Sequence, residues 1–308
     1  MTSGETTDPA AKSSAVELVE YARAKVNLTL RVVGRRVDGY HDLESVVAFA
    51  DCADRLTLLP GTELRLATTG PLADACGEVA DNLVLKAARL LGERVPGLKS
   101  GTFTLHKALP VAAGIGGGSA DAAAALRLLA QANGLAMDDG RLTEVARLTG
   151  ADVPVCLASH ACVMTGVGES LMPLDVPKLP CVLVNPRVAV ATKDVFAALG
   201  LRSGELLVGF ADVIQAIAWP EAGASLEEWV EAFAVSSNDL EAPALRIQPV
   251  IGEVIAALNA TDGAWLARMS GSGATCFAIY ENTAEAGRAA EKIRRDHPRW
   301  WVHSGVLS

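Results

Sequence analysis

The sequence has no long apolar run. None approaches the roughly 20 residues that a helix needs to cross a bilayer, and the opening MTSGETTDPAAKSS lacks the basic-then-apolar pattern of a secretory signal. Both absences predict a soluble, cytoplasmic chain with no membrane partner. Cysteine is sparse and scattered: Cys52, Cys76, Cys156, Cys162, Cys181 and Cys276 form no C-x-x-C pair and have no histidine cluster beside them. Neither a zinc site nor a disulfide framework is indicated, so the thiols read as reduced and mostly buried. Positive charge is also short. With 27 Lys and Arg against 36 Asp and Glu, the net charge is −9, which disfavours a large nucleic-acid surface. A phosphate ligand would need its cation concentrated locally, because the average field repels it.

What is present suits a globular protein. The chain has 308 residues, half of them hydrophobic and a fifth charged, enough for a sizeable core in one large or two ordinary domains. Residues 1–16 are small, polar and unpatterned, and read as a flexible tail. From there VEYARAKVNLTLRVVGRR reads as β, with Val26, Leu28, Leu30 and Val32 alternating against polar neighbours. Further short strands are expected in DRLTLLPG, TELRLATTG and TFTLHKAL, and a helix capped by Asp81 or Asn82 in DNLVLKAARLLGERV. GGSADAAAALRLLAQANG is a second helix, small and apolar on nearly all sides and therefore buried. A third, DDGRLTEVARLTG, ends at Gly150. A new section starts at the proline-bearing MPLDVPKLP, giving a 17–172 and a 173–308 lobe. It runs through the capping box of Ser225 with Glu228 to a closing strand, turn, strand, helix, strand series. Segregated strands and helices make this an α+β chain.

Four pieces carry chemistry. LPVAAGIGGGSADAAAAL joins a glycine-rich loop to a helix whose first N–H groups form an anion seat. It contains no Lys and fits neither the Walker nor the dinucleotide spacing; a plain turn for close helix packing is its local alternative. In AKVNL, Lys25 and Asn27 lie two apart on a strand and share a face, which fits a site or a solvated edge. Asp152 in GADVP is an N-cap, a proton acceptor or a metal ligand. Ser272, between Gly271 and Gly273, is a hairpin turn or a backbone clamp beside a phosphate.

In this order, the strand lysine, the glycine-rich loop, the G-A-D-V-P segment and the G-S-G-A turn resemble the three motifs of the GHMP superfamily of small-molecule kinases, which includes homoserine and mevalonate kinases. AKVNLTLRVVGRRVDGYHDLES, GADVPVC and PRVAVATKDVF are most similar to its branch that acts on a cytidine diphosphate-linked methylerythritol in non-mevalonate isoprenoid synthesis.

The resemblance implies a two-lobe GHMP kinase fold, with an N-terminal lobe like domain 2 of ribosomal protein S5 and a ferredoxin-like C-terminal lobe. It implies transfer of the γ-phosphate of ATP, with Mg²⁺, to a tertiary hydroxyl of that small-molecule substrate. Lys25 and Asp152 align with the catalytic pair, and Asn27 with the residue that orients the diol. Pro110, Val111, Ala112, Ala113, Gly114, Ile115, Gly116, Gly117, Gly118, Ser119 and Ala120 align with the ATP phosphate loop, Ser119 being also the candidate Mg²⁺ ligand. Tyr40 and His41 align with the pyrimidine-binding pair, and Thr192 and Phe196 with its partners in the second lobe; a core position is the alternative for Phe196. The role of Asp121 stays open, and residues 82–86 with Lys107 are candidates for the adenine pocket. The protein is expected as monomer or homodimer. Its rivals are another acceptor within the superfamily, homoserine or mevalonate, and a non-catalytic S5-like module that binds RNA.

Overall fold

The computed structural model describes residues 16–207 and 219–308. The expected tail therefore lies outside the described residues, except for Val16. The strands are β1 (Leu18–Asn27), β2 (Arg31–Arg35), β3 (His41–Leu59), β4 (Arg65–Thr69), β5 (Thr102–His106), β6 (Cys162–Gly166), β7 (Ser170–Pro173), β8 (Leu179–Asn185), β9 (Leu266–Met269), β10 (Cys276–Ile279) and β11 (Trp301–Leu307). The helices are α1 (Leu83–Arg94), α2 (Gly117–Asn133), α3 (Gly140–Thr149), α4 (Val153–Ala158), α5 (Thr192–Ala197), α6 (Leu226–Ala234), α7 (Glu241–Ile247), α8 (Val250–Asn259) and α9 (Thr283–Asp296). The mixed α+β class expected from the sequence is present.

β3 is the spine of the fold. Its 19 residues pair with β1, β2, β5 and β6, and at Ala50 with Leu307 of β11. The main path of the sheet runs β4-β5-β3-β11-β8-β10-β9, so strands of the two lobes form one hydrogen-bonded surface. The expected break at 172/173 falls inside β7, and β8 re-enters the sheet six residues later.

Packing follows composition. Ala122, Ala123, Ala124, Ala125, Leu126, Leu128 and Leu129 of α2 are wholly buried between the sheet and α1, α3 and α4; a stretch that is small and apolar on nearly all sides has little face to give to water. Its small side chains allow close approach to β1. Asn82 caps α1 by accepting from the Val84 N–H, and Asp139 caps α3 likewise on Arg141. The Ser225–Glu228 capping box of α6 is complete. A second core gathers β8–β10 with α5, α7, α8 and α9, and a third, containing Val26, Leu28, Ala113, Ile115, Phe233 and Phe277, joins the lobes. That shared core holds β1, the glycine-rich loop and the β9–β10 turn together.

Candidate active site

The glycine-rich loop is shaped by backbone that only certain residues adopt. Gly114 (φ 73°) and Gly116 (φ 63°) are left-handed, and Ala112 joins them at φ 50°. A Cβ at Gly114 would lie 2.4 Å from the Ser270 carbonyl oxygen, and one at Gly271 would lie 2.7 Å from the Gly114 oxygen. The loop and the G-S-G turn thus pack backbone on backbone. The Thr275 N–H donates to the Ala113 carbonyl at 3.0 Å, and the Ser270 hydroxyl donates to the Gly114 carbonyl at 3.0 Å. Gly116 is the N-cap of α2 and carries no side chain to cap it, which leaves the first N–H groups of the helix available to an anion. Gly114, Gly116, Gly117, Gly118 and Ser119 line a cleft of about 870 Å³ with Ala112 and Ala113. Pro110, Ile115 and Ala120 are buried, and Val111, though exposed, does not line it.

Lys25 and Asn27 do share a strand face, and that face is interior, not solvated. Lys25 is 4% exposed and Asn27 1%. The Lys25 N–H donates to the Ile115 carbonyl at 2.9 Å, which ties β1 to the loop. The Lys25 ammonium donates to Asn27 Oδ1 at 3.0 Å and pairs with Asp152 Oδ2 at 3.1 Å. Asn27 Nδ2 in turn donates to the Ser45 hydroxyl at 2.7 Å, and Ser45 to the Thr29 carbonyl. This chain fixes the amide orientation and so the lysine. Asp152 precedes α4 but makes no capping bond with its side chain; the carboxylate is spent on Lys25 and remains 36% exposed to the cleft. A carboxylate that is partly open to the cleft and oriented by a buried cation is able to accept a proton from a hydroxyl bound beside it.

On the wall of the same cleft, His41 and Phe196 stack with ring centroids 4.5 Å apart and planes 26° apart. One ring opens β3 and the other sits on α5, so one member of the expected Tyr40–His41 pair and one of its second-lobe partners meet in space. Tyr40, 60% exposed, also lines the cleft. Thr192 hydrogen-bonds Ser272 at 2.9 Å, joining α5 to the G-S-G turn. Burial lowers the His41 pKa, and the nearby Arg35 charge lowers it further.

Several supporting residues carry no motif. Asn238 donates to the carbonyls of Met269 and Gly271 at 2.8 Å each, and Arg268 donates to those of Leu28, Phe233 and Ser236. Together they fix the turn against β1. Lys107 is not exposed to a nucleotide: its ammonium is buried between Asp54 and Asp121. That placement answers the open role of Asp121. Buried polar residues between apolar neighbours were the only sequence signal for these groups, and it does not say which pairs with which.

Comparison with known proteins agrees with this geometry. Residues 82–160 match the family described as GHMP kinases N terminal domain, and residues 220–299 the GHMP kinases C terminal domain. The 4-diphosphocytidyl-2-C-methyl-D-erythritol kinase of Bradyrhizobium diazoefficiens is 74% identical over 94% of this chain and 98% of its own. The protein of the same name from Nitrobacter hamburgensis is 72% identical over 95% and 96%. A crystal structure of 4-(cytidine 5'-diphospho)-2C-methyl-D-erythritol kinase aligns with TM-score 0.72 at 34% identity, over 94% of this chain and 99% of that one. A homoserine kinase from Cytophaga hutchinsonii aligns with TM-score 0.68 at 18% identity over 98% and 97%, which shows the shared fold alone. Since identity of 74% runs across nearly the full length of both chains, the chain belongs to the GHMP kinase superfamily and, within it, to the 4-diphosphocytidyl-2-C-methyl-D-erythritol kinase family.

Proposed function

We propose that this kinase transfers the γ-phosphate of ATP to the 2-hydroxyl of 4-diphosphocytidyl-2-C-methyl-D-erythritol, giving the 2-phosphate and ADP. One observation carries the reading: a single cleft is lined by the His41–Phe196 stack, by Lys25–Asp152 and by the head of α2. A flat base fits the rings, as aromatic side chains stack on any base face. The hydroxyl to be phosphorylated then lies by Asp152, and the donor phosphates lie on the loop.

Asp152 accepts the hydroxyl proton as the new P–O bond forms and the bond to the ADP oxygen breaks. Lys25 stays charged beside it and stabilises negative charge at the attacking and transferring oxygens. Asn27 holds Lys25 through Oδ1, whose second lone pair is left for the acceptor's diol. Tyr40 and His41 with Thr192 and Phe196 hold the cytidine end. Of residues 110–120, those that line the cleft, Ala112 to Gly114 and Gly116 to Ser119, hold the phosphates through main-chain N–H groups.

Among the described residues, no three His, Cys, Asp or Glu side chains form a metal cage. Mg²⁺ in nucleotide sites takes most of its ligands from phosphate and water and needs only one or two protein oxygens. The Ser119 hydroxyl, on the cleft wall, fits that demand. Bound there, the ion would supply charge neutralisation on the β- and γ-phosphates. The division into a 17–172 catalytic lobe and a 173–308 substrate lobe, a cytoplasmic location and a monomer or homodimer state belong to the same reading. No helix among the described residues is long and apolar enough to cross a membrane.

The test is ADP release with the cytidylylated methylerythritol, homoserine and mevalonate, each with and without Mg²⁺. Turnover is expected with the first acceptor only and with Mg²⁺ only. Turnover of homoserine or mevalonate alone would refute the assignment, as would tight, salt-sensitive RNA binding with no transfer to any acceptor.

A further inference from the structure

We propose that Arg35 and Lys193 form a clamp for the diphosphate of the acceptor, one cation beside each ring of the His41–Phe196 stack. The inference rests on the function proposed above and concerns how that substrate is recognised. Arg35 ends β2 and is the cross-strand partner of His41 in the β2–β3 ladder. Directly opposed residues of an antiparallel pair place their side chains on one face, with Cβ atoms about 5 Å apart. The Arg35 charge is felt at the His41 ring. Lys193 lies three residues before Phe196 on α5, the spacing that sets two helical side chains side by side. Both cations line the cleft.

Their hydrogen bonding leaves the charge unspent. Arg35 Nη1 donates to the Leu201 carbonyl at 2.9 Å, a neutral acceptor that anchors the guanidinium without cancelling it. Arg35 Nε is buried with no hydrogen-bond partner among the described residues. Neither cation pairs with a carboxylate among the described residues, unlike Arg36, which is held by Asp42 and Glu169. The third lysine or arginine of the cleft wall, Lys25, is committed to Asp152 and Asn27. Asp152 is the only acidic residue among the described ones that line the cleft.

A base on the stack with its sugar alcohol at Asp152 must carry its two phosphates between those points. That diphosphate meets a chain of net charge −9, so binding needs local cations. Arg35 and Lys193 flank the rings where the phosphates leave the base, and they approach from different lobes. An uncharged nucleoside would gain nothing from them.

The test uses calorimetric titration of the whole protein with cytidine, CMP and CDP, the donor site being filled with ADP. Wild type is expected to bind CDP about 10- to 100-fold more tightly than cytidine, the range of one or two charge-assisted contacts. Arg35→Gln and Lys193→Gln should each lower that ratio about 3- to 10-fold, and the double variant should bring it close to one. Arg35→Lys should recover part of it, which separates lost charge from a disturbed hairpin. Unchanged ratios in both single variants would overturn the clamp, as would equal losses for cytidine and CDP, which would place the residues in support of the stack only. If wild type turns over the cytidylylated acceptor while the ratios stay unchanged, the clamp fails and the function stands. If it turns over a different acceptor, the function itself fails.

Discussion

Replacing Lys107 by Met exposes a charge imbalance built under the phosphate loop. One ammonium, 2% exposed, serves two carboxylates, Asp54 (0%) and Asp121 (3%). Asp54 is well satisfied, since its Oδ1 also accepts from the Ala108 and Leu109 N–H groups at 2.6 and 2.9 Å. Asp121 has only the 2.7 Å contact of Oδ2 with Lys107; its Oδ1 is buried without a partner among the described residues. Removing the cation leaves two facing buried carboxylates, and breaking a buried pair this way costs about 3–5 kcal/mol. Asp121→Asn instead removes the worse-satisfied charge and leaves the Lys107–Asp54 pair whole, so its cost should stay within about 1 kcal/mol. Burial, assisted by Asp54 and opposed by Lys107, pushes the Asp121 carboxyl up to about 7. A carboxyl that holds its proton more tightly when folded costs stability as pH rises from about 4, its unfolded value, to about 7. Wild type should therefore lose ground to Asp121→Asn across that window, by a few kcal/mol at most. Urea unfolding followed by tryptophan fluorescence at pH 5 and pH 8 measures both effects. If Lys107→Met shifted stability by less than about 1 kcal/mol, or Asp121→Asn cost as much as Lys107→Met, the imbalance argument would be wrong.

Other outcomes follow from the cleft. Asp152→Asn should lower kcat roughly 10²- to 10⁴-fold with ATP affinity little changed, and an effect below about threefold would make the carboxylate a positioning group; Lys25→Met should also lose most of kcat. Phe196→Ala should raise KM for the cytidylylated acceptor about tenfold, the value of one stacked base, and an equal rise in KM for ATP would place the ring elsewhere. Gly116→Ala puts a Cβ 3.2 Å from Lys25 Cε at a left-handed position, whereas Gly118→Ala meets only Leu83 Cδ1 at 3.8 Å. The first should depress kcat by displacing the lysine and the second should not, as steady-state kinetics of the two variants will show.

Local pattern was enough for most elements, because alternation and caps act over a few residues. β1, α1, α2, α3 and the strand-turn-strand of β9 and β10 all lie where their sequences placed them. Three things were not local. Alternation in VEYARAKVNL marks two faces without telling which is interior, so Lys25 and Asn27 read equally as solvated edge or as site; the glycine-rich loop packed on that edge makes it interior. Asp152 has an N-cap's position, but a lysine 127 positions away in sequence takes its side chain. The 19-residue length of β3, which lets one strand serve both lobes, is invisible where DCAD interrupts its apolar pattern.

On the proposed function, the distribution of cations accounts for how so acidic a protein would hold phosphates. Among the residues beside the loop, Lys107 looks best placed for the donor: a Cβ on Gly117 would sit 3.4 Å from its ammonium. Two buried aspartates neutralise it, and the triad as a whole cannot attract an anion. The seat for the donor is then left to dipoles, the N–H groups of the loop and of α2, which need no desolvation of a mobile charge and act at fixed geometry. Lys25, by contrast, shares its charge with a single, partly open carboxylate, and its position is set by Asn27. An ammonium so held contributes most where negative charge grows during transfer, not where it is already present in bound ATP. The Lys25 charge thus serves the reacting centre, and the separation of Lys107 from Lys25 is what makes a lysine-free loop workable.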